Sequence, residues 1–424
     1  MSPLIAPVLA QLVTLQLGDR TEARYTGYLG DSPPPAQMSG STAPSIGVGV
    51  SHRRTSLRLA YVPAITLAPL NQSPRQLYVF HSAVATASHR LRRTTFQLGS
   101  SFSIGSLALR LAAVQGPQLP VDTMNGAPPT GAPPTGTPPT GMPTTGMPTT
   151  GTPGGVVTQQ PGVDQKVRFY ASTTTLGVAH ELSKEARLGA TAGMTAAGGR
   201  DDESRKFYQP LRGYFVGVNG AYIYPLSKRD SLLSNLSFTK TWSSGGNEAA
   251  SLAANETWGH RFSLNTTSAL GAGLNITRFT QADGLAGFSI FPTFQAGGTH
   301  RVRVGRGQLS FSASVYSSPA LDPLRALVDP RLGATASIGY TRQKLFVLAS
   351  GSTAVSLLPA GQSGAVNAYQ GEARAGYQLA KLVSIDTGAR LAYQSYQGQT
   401  VISSIWAAFV GLTVGHSVTL MGGR

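Results

Sequence analysis

The sequence predicts an all-β protein: a closed antiparallel transmembrane β-barrel of about 18 strands (range 16–18), with a disordered Pro/Gly/Thr-rich external loop. Three observations predict it. Apolar and polar residues alternate through most of the chain. The alternating segments are long, many running about 10–18 residues, where soluble strands average ~5–6 and a tilted membrane-crossing strand needs ~9–11. Tight and loose connections also alternate along the chain.

Composition narrows the field. The 424 residues include 50 Gly, 28 Pro and no Cys. Lys plus Arg number 34 against 18 Asp plus Glu, a net charge of +16, yet only 12% of residues are charged. Without Cys there is no disulfide scaffold, thiolate zinc site, iron–sulfur centre or cysteine enzyme. A mean hydropathy of −0.03 is too high for a disordered chain and too low for a helical membrane bundle. No run of ~18 apolar residues offers a transmembrane helix.

Taken in order, residues 1–10 read as the remnant of a truncated signal, and 11–424 as one barrel domain. Alternation is plain in Val383 to Tyr396. Val383, Ile385, Thr387, Ala389, Leu391 and Tyr393 make one face; Ser384, Asp386, Gly388, Arg390, Ala392 and Gln394 make the other. Tyr369 to Leu379, Leu309 to Val315, Leu332 to Thr341 and Leu264 to Thr277 follow the same rule. No stretch shows a helical period.

Eight tight turns are expected at Ser51–Thr55, Ser88–Arg93, His180–Ala186, Tyr224–Asp230, Trp258–Arg261, Thr299–Gly307, Thr341–Lys344 and Gln378–Lys381. Loose connections fall near 30–44, 68–76, 104–165, 197–209, 243–247, 281–284, 317–331, 358–365 and 396–400. Eight tight and nine loose connections join 18 strands and put both termini at the tight-turn end. The loop 104–165 is a low-complexity insert. Its pentad repeat Gly-x-Pro-[Pro/Thr]-Thr, within 126–155, suits extended polyproline II and no strand. Ahead of it, apolar Ser106 to Val114 is a candidate constriction or short strand.

Six of the seven histidines, His52, His89, His180, His260, His300 and His416, close strands that run toward the tight turns, where Tyr224, Tyr340 and Tyr377 hold equivalent places. Such rings predict an aromatic girdle at the periplasmic membrane–water interface. Spread round the barrel, the histidines cannot converge on one metal ion. Tight turns also carry 15 of the 34 basic residues, a rim suited to anionic lipid headgroups or to an acidic periplasmic partner. No phosphate loop, nucleophile elbow or metalloprotease motif occurs, so neither catalysis nor a cofactor is expected. Basic residues in separate hairpins, without stacking aromatics, do not predict nucleic-acid binding.

Arg58, Glu372, Arg374, Asp386 and Arg390 fall on the polar parity inside strands and are the candidate lumen-facing residues. On the lipid face a basic residue would cost ~2–4 kcal/mol at the midplane. Glu372/Arg374 and Asp386/Arg390 have the signs to pair across neighbouring strands and hold the barrel. Equally, the set suits a mildly cationic pore lining.

With these strands, His-containing turns, Gly-rich loops and Trp242, Trp258 and Trp406 near strand ends, the chain from Leu12 to Leu420 resembles a Gram-negative bacterial outer-membrane β-barrel. It looks most like the large barrels that export surface polysaccharide. That resemblance implies location in the outer-membrane bilayer, folding by the outer-membrane assembly machinery, and a periplasmic export component as partner. Such barrels usually end in an aromatic residue, whereas this chain ends Val418-Thr-Leu-Met-Gly-Gly-Arg424. The function expected is passage of a hydrophilic solute or polymer, surface polysaccharide first. The alternatives are a structural or adhesive barrel displaying 104–165, a general anion-preferring porin, and a soluble periplasmic β-solenoid or sandwich.

Overall fold

The computed structural model describes residues 12–29, 36–70, 75–108, 166–207, 210–282, 284, 286–322, 327–357, 366–396 and 402–421. The first strands are β1 (Leu12–Leu29), β2 (Gln37–Thr42), β3 (Ser45–His52), β4 (Thr55–Ala68), β5 (Gln76–Arg90) and β6 (Thr94–Ala108). Then come β7 (Lys166–Glu181), β8 (Ala186–Gly199), β9 (Leu211–Pro225), β10 (Asp230–Ser243), β11 (Glu248–Ser263) and β12 (Thr266–Thr280). The last are β13 (Ala286–Val304), β14 (Gly307–Asp322), β15 (Leu327–Arg342), β16 (Leu345–Ser356), β17 (Val366–Ala380), β18 (Val383–Tyr396) and β19 (Ile402–Met421). They form one antiparallel sheet. It closes where β19 pairs β1, from Leu12 opposite Met421 to Leu29 opposite Ser404. Closure removes the free edges that lipid could not hydrate.

β2 and β3 are a single pass. Both lie between β1 and β4 in an unbroken register: Thr42 faces Thr21 and Ser45 faces Gly18 on one side, while Thr42 faces Ile65 and Ile46 faces Tyr61 on the other. Regular strand breaks only at Ala43 and Pro44; Ala43 still exchanges backbone hydrogen bonds with Arg20, and Pro44 has no N–H to donate. The chain therefore crosses 18 times, the number expected from the connections.

Eight short connections lie at one end and the longer ones at the other, but some boundaries move. The expected turn Trp258–Arg261 is strand: β11 continues to Ser263, and the turn is Leu264 and Asn265, with Leu264 90% exposed. His260-Arg261 resembled the other His-containing turns, but its imidazole sits above the hairpin tip. β13 likewise runs through Arg301 and Arg303 to Val304, and the turn is Gly305-Arg306, with Gly305 at φ 59°. Residues 37–42, 104–108, 317–322 and 327–331 are strand where loose connection was expected. The repeat 126–155, the stretch 109–114 and residues 1–10 lie outside the described residues.

Among the described residues one helix, α1 (Asp202–Phe207), stands in the connection after β8; six residues are too few to display a period. Asp201 caps it, its carboxylate accepting the Ser204 amide at 2.8 Å. The Ser204 hydrogen bonds hold the Asp201 carboxyl below the usual 3.8, helped by Arg168 and Arg205 and opposed by partial desolvation. A depressed carboxylate contributes above its unfolded value and is lost as pH falls through the folded one. Hydrogen exchange at the Ser204 amide should therefore accelerate below about pH 4, and Asp201→Asn should remove that acid dependence.

The strands are staggered. Following the registers once round the barrel returns to β1 about 24 residues from the start. With 18 passes, usual strand spacings imply a tilt near 42° and, for a circular barrel, a backbone radius of about 18 Å. Side chains reaching inward ~5–6 Å would leave a wide interior.

Two faces are sharply different. Leu57, Leu98, Leu176, Val218, Leu274, Val315, Ile338 and Val410 share the apolar parity and are exposed. The polar face is the concave one, because there side chains converge across an intervening strand. Thr293 of β13 hydrogen-bonds Asn255 of β11, and Gln295 reaches Thr257 at 2.6 Å. Among the described strands four carboxylates stand on the apolar parity, Asp230 and Glu248 at strand ends and Asp19 and Glu256 within strands. Asp19 accepts hydrogen bonds from Thr42 (2.9 Å) and Thr21 (3.2 Å), and Glu256 accepts one from Ser234 (2.8 Å).

Candidate functional site: the charged inner wall

On the concave face, β1, β17 and β18 assemble one ion-pair ladder. Arg390 donates to Glu372 at 2.8 Å and Arg374 to Asp386 at 2.9 Å. Each partner lies across the β17–β18 pair, because Glu372 stands directly opposite Arg390 and Arg374 diagonally from Asp386. Arg20 bridges Asp386 (3.2 Å) and Glu22 (3.0 Å), and Arg24 grips Glu22 at 2.6 Å. Asp386 is 2% exposed and Glu22 is buried, while the four guanidiniums are half-buried.

Between Arg20 and Asp386 lies β19, which places Gly411 opposite both Glu22 and Asp386. A Cβ on Gly411 would stand 3.2 Å from Asp386 Oδ1 and 3.5 Å from Arg20 Nη2. The glycine thus leaves room for an ion pair to cross a strand. Arg374 also lies over the Phe346 ring, 5.5 Å from its centroid, a cation–π contact.

Of the five residues expected on the polar parity, the structure brings four together. Arg58 stands apart, donating across β3 to Gln16 at 3.2 Å. Corrected for stagger it is about 2 Å above the level of His416, whereas the ladder spans about 10–20 Å above it. Arg20, Glu22 and Arg24 were missed in the sequence. Their signal was present: they alternate with Thr21, Ala23 and Tyr25, in phase with Gln16 and Gly18.

The six histidines lie on the apolar parity. With the stagger removed, His89, His180, His260, His300 and His416 fall within about one residue of a single plane, and His52 about three residues beyond it toward the turns. Tyr224, Tyr340 and Tyr377 fall close to the same plane in three remaining passes. Four histidines share one local device, a hydrogen bond between Nδ1 and the facing residue that opens the neighbouring strand. Thr55–His89, Thr94–His180 and Thr266–His300 measure 2.8 Å, and Asp230–His260 2.7 Å. Trp406 at the far end of β19 meets Tyr25 in a tilted ring contact (5.6 Å), ten residues from His416. That interval corresponds to about 25 Å of height, the thickness of a membrane barrel's apolar band.

An 18-pass closed barrel with an apolar convex face and a charged concave one is an outer-membrane channel. The family model for the EpsX exopolysaccharide export family matches residues 17–420, and the chain belongs to that family. No curated protein matches the sequence. Among solved structures, the chain is similar to the outer membrane protein opdK of Pseudomonas aeruginosa, at 11% identity and TM-score 0.44, covering 95% of this chain and 99% of that one. Glucuronate-bound OccK2 (OpdF) of the same organism matches at 11% identity and TM-score 0.43, over 96% and 98%. The FrpB iron transporter of Neisseria meningitidis (F3-3 variant) matches at 10% identity and TM-score 0.49, covering 91% of this chain and 63% of that one.

Proposed function

We propose that the channel exports a surface polysaccharide, with Arg58, Glu372, Arg374, Asp386 and Arg390 lining its lumen together with Arg20, Glu22 and Arg24. The observation that carries this reading is the ladder on the concave wall. Four guanidiniums against three carboxylates leave one positive charge, and ion pairs fix its position. A slight cationic excess draws an anionic polymer in, and guanidiniums already paired bind it too weakly to trap it. The histidine and tyrosine ring serves as the periplasmic girdle, and the basic turns below it meet anionic headgroups or a periplasmic export component.

Single-channel recording under a salt gradient tests the lining. Stepwise conductance with mild anion preference is expected. Combined Arg58→Glu, Arg374→Glu and Arg390→Glu should change the sign of the reversal potential. The exchange Glu372→Arg with Arg390→Glu keeps the pair and the net charge, and should leave the potential near wild type. An unchanged potential in the triple variant would remove these residues from the lumen, and a folded barrel without conductance would end the channel reading.

A further inference from the structure

From β5 round to β12, away from the ladder, the concave wall carries phenyl rings laid over glycines. Phe215 and Phe279 belong to one cross-strand row, Gly193–Phe215–Thr241–Ala249–Phe279–Gly287. Each ring leans onto the glycine beside it: Phe215 fills the place a Cβ on Gly193 would take, and Phe279 does the same at Gly287. Phe80 and Phe169 both face Gly105 of β6, and its missing side chain brings their centroids to 5.6 Å, 33° from coplanar. A ring seated on a glycine lies along the wall and does not project across the interior.

All four rings are half-exposed. The ladder side differs, since Phe409 is buried and Phe346 lies under Arg374. An amide accompanies the phenyls: exposed Gln295 of β13 donates to Thr257 at 2.6 Å, and a primary amide carries a second N–H that can serve another acceptor. Rings on a wet wall, with an exposed amide on the strand next to the last of them, match a ligand with an apolar C–H face and a hydroxylated edge. A pyranose ring has both.

We propose that Phe80, Phe169, Phe215 and Phe279 form a stacking track for the sugar rings of the exported polymer, with Gln295 serving its hydroxyls. This rests on the export reading and adds that the channel recognises sugar rings as such, by contacts independent of charge. The electron-rich ring face attracts polarised C–H groups, and several weak platforms in series let a polymer advance without being held at any one.

The experiment is current blockade of the reconstituted full chain by a neutral glucan hexasaccharide and by an acidic galacturonan oligosaccharide. Both should produce resolvable blocks in the wild type. In Phe215→Ala/Phe279→Ala the residence time of both sugars should fall about tenfold, with the open channel still conducting. Phe215→Leu/Phe279→Leu keeps apolar bulk without an aromatic face and should fall similarly. Wild-type residence times in both double variants would overturn the track and leave the export reading intact. Blockade by neither sugar in an open wild-type channel would overturn both.

Discussion

Asp386→Ala should lower the stability of the folded barrel by about 2–3 kcal/mol, seen as a lower urea midpoint for loss of the heat-modifiable, fast-migrating form. Asp386 is buried, and one of its oxygens receives both Arg20 and Arg374. Deleting it leaves two guanidiniums on one wall with no common counter-charge. Breaking a buried pair from one side costs ~3–5 kcal/mol, and the expected value is lower because both arginines are about a quarter exposed and water screens them. Adding Arg374→Met should recover part of the loss, since the orphaned cation disappears with its partner. Gly411→Leu should act in the same direction by a different route, wedging a side chain between Arg20 and Asp386. If Asp386→Ala unfolded at the wild-type midpoint, the ladder would be decoration on a wall held entirely by backbone pairing.

The second large effect concerns parity. Val315 is exposed on the convex face of β14, and Ser314 lies on the concave face, bonded to Thr335 at 2.7 Å. Both stand near mid-height. Val315→Arg should cost ~2–4 kcal/mol in bilayers, because a guanidinium would enter hydrocarbon. Ser314→Arg, one residue away, should cost less than ~1 kcal/mol beyond the lost Ser–Thr bond, because the same group would meet water. Equal costs at the two positions, read from unfolding in lipid vesicles, would remove the distinction between faces.

How much of this was legible beforehand follows from what sets each feature. Pass number, chain direction and the tight-turn end came from period-two alternation and loop length, which are local properties of the chain. Turn boundaries moved at His260 and in 299–307, because the histidines share one level while the hairpins extend past it by a variable amount. Pro44 looked like loose connection, yet the strand continues on both sides in one register. The crossed pairing of Glu372 with Arg390 and of Arg374 with Asp386 depends on register between strands, which alternation within one strand cannot supply. The same holds for Gly411, and for the phenyl–glycine pairs, whose members lie from 8 to 64 residues apart. The common level of the histidines, by contrast, was legible in their place at strand ends, and the summed stagger of the passes agrees with it for all but His52.

The most direct test uses the absence of cysteine, since any introduced thiol is unique. Nitroxides placed singly at each position from Leu309 to Tyr316, in the barrel reconstituted in bilayers, report collision with oxygen dissolved in lipid or with a nickel chelate dissolved in water. Odd positions from Leu309 to Val315 should favour oxygen, and even positions from Ser310 to Tyr316 the chelate, in strict alternation. Equal exposure of both sets to the chelate, or of both to oxygen, would contradict a sheet with acyl chains on one face and a water-filled passage on the other.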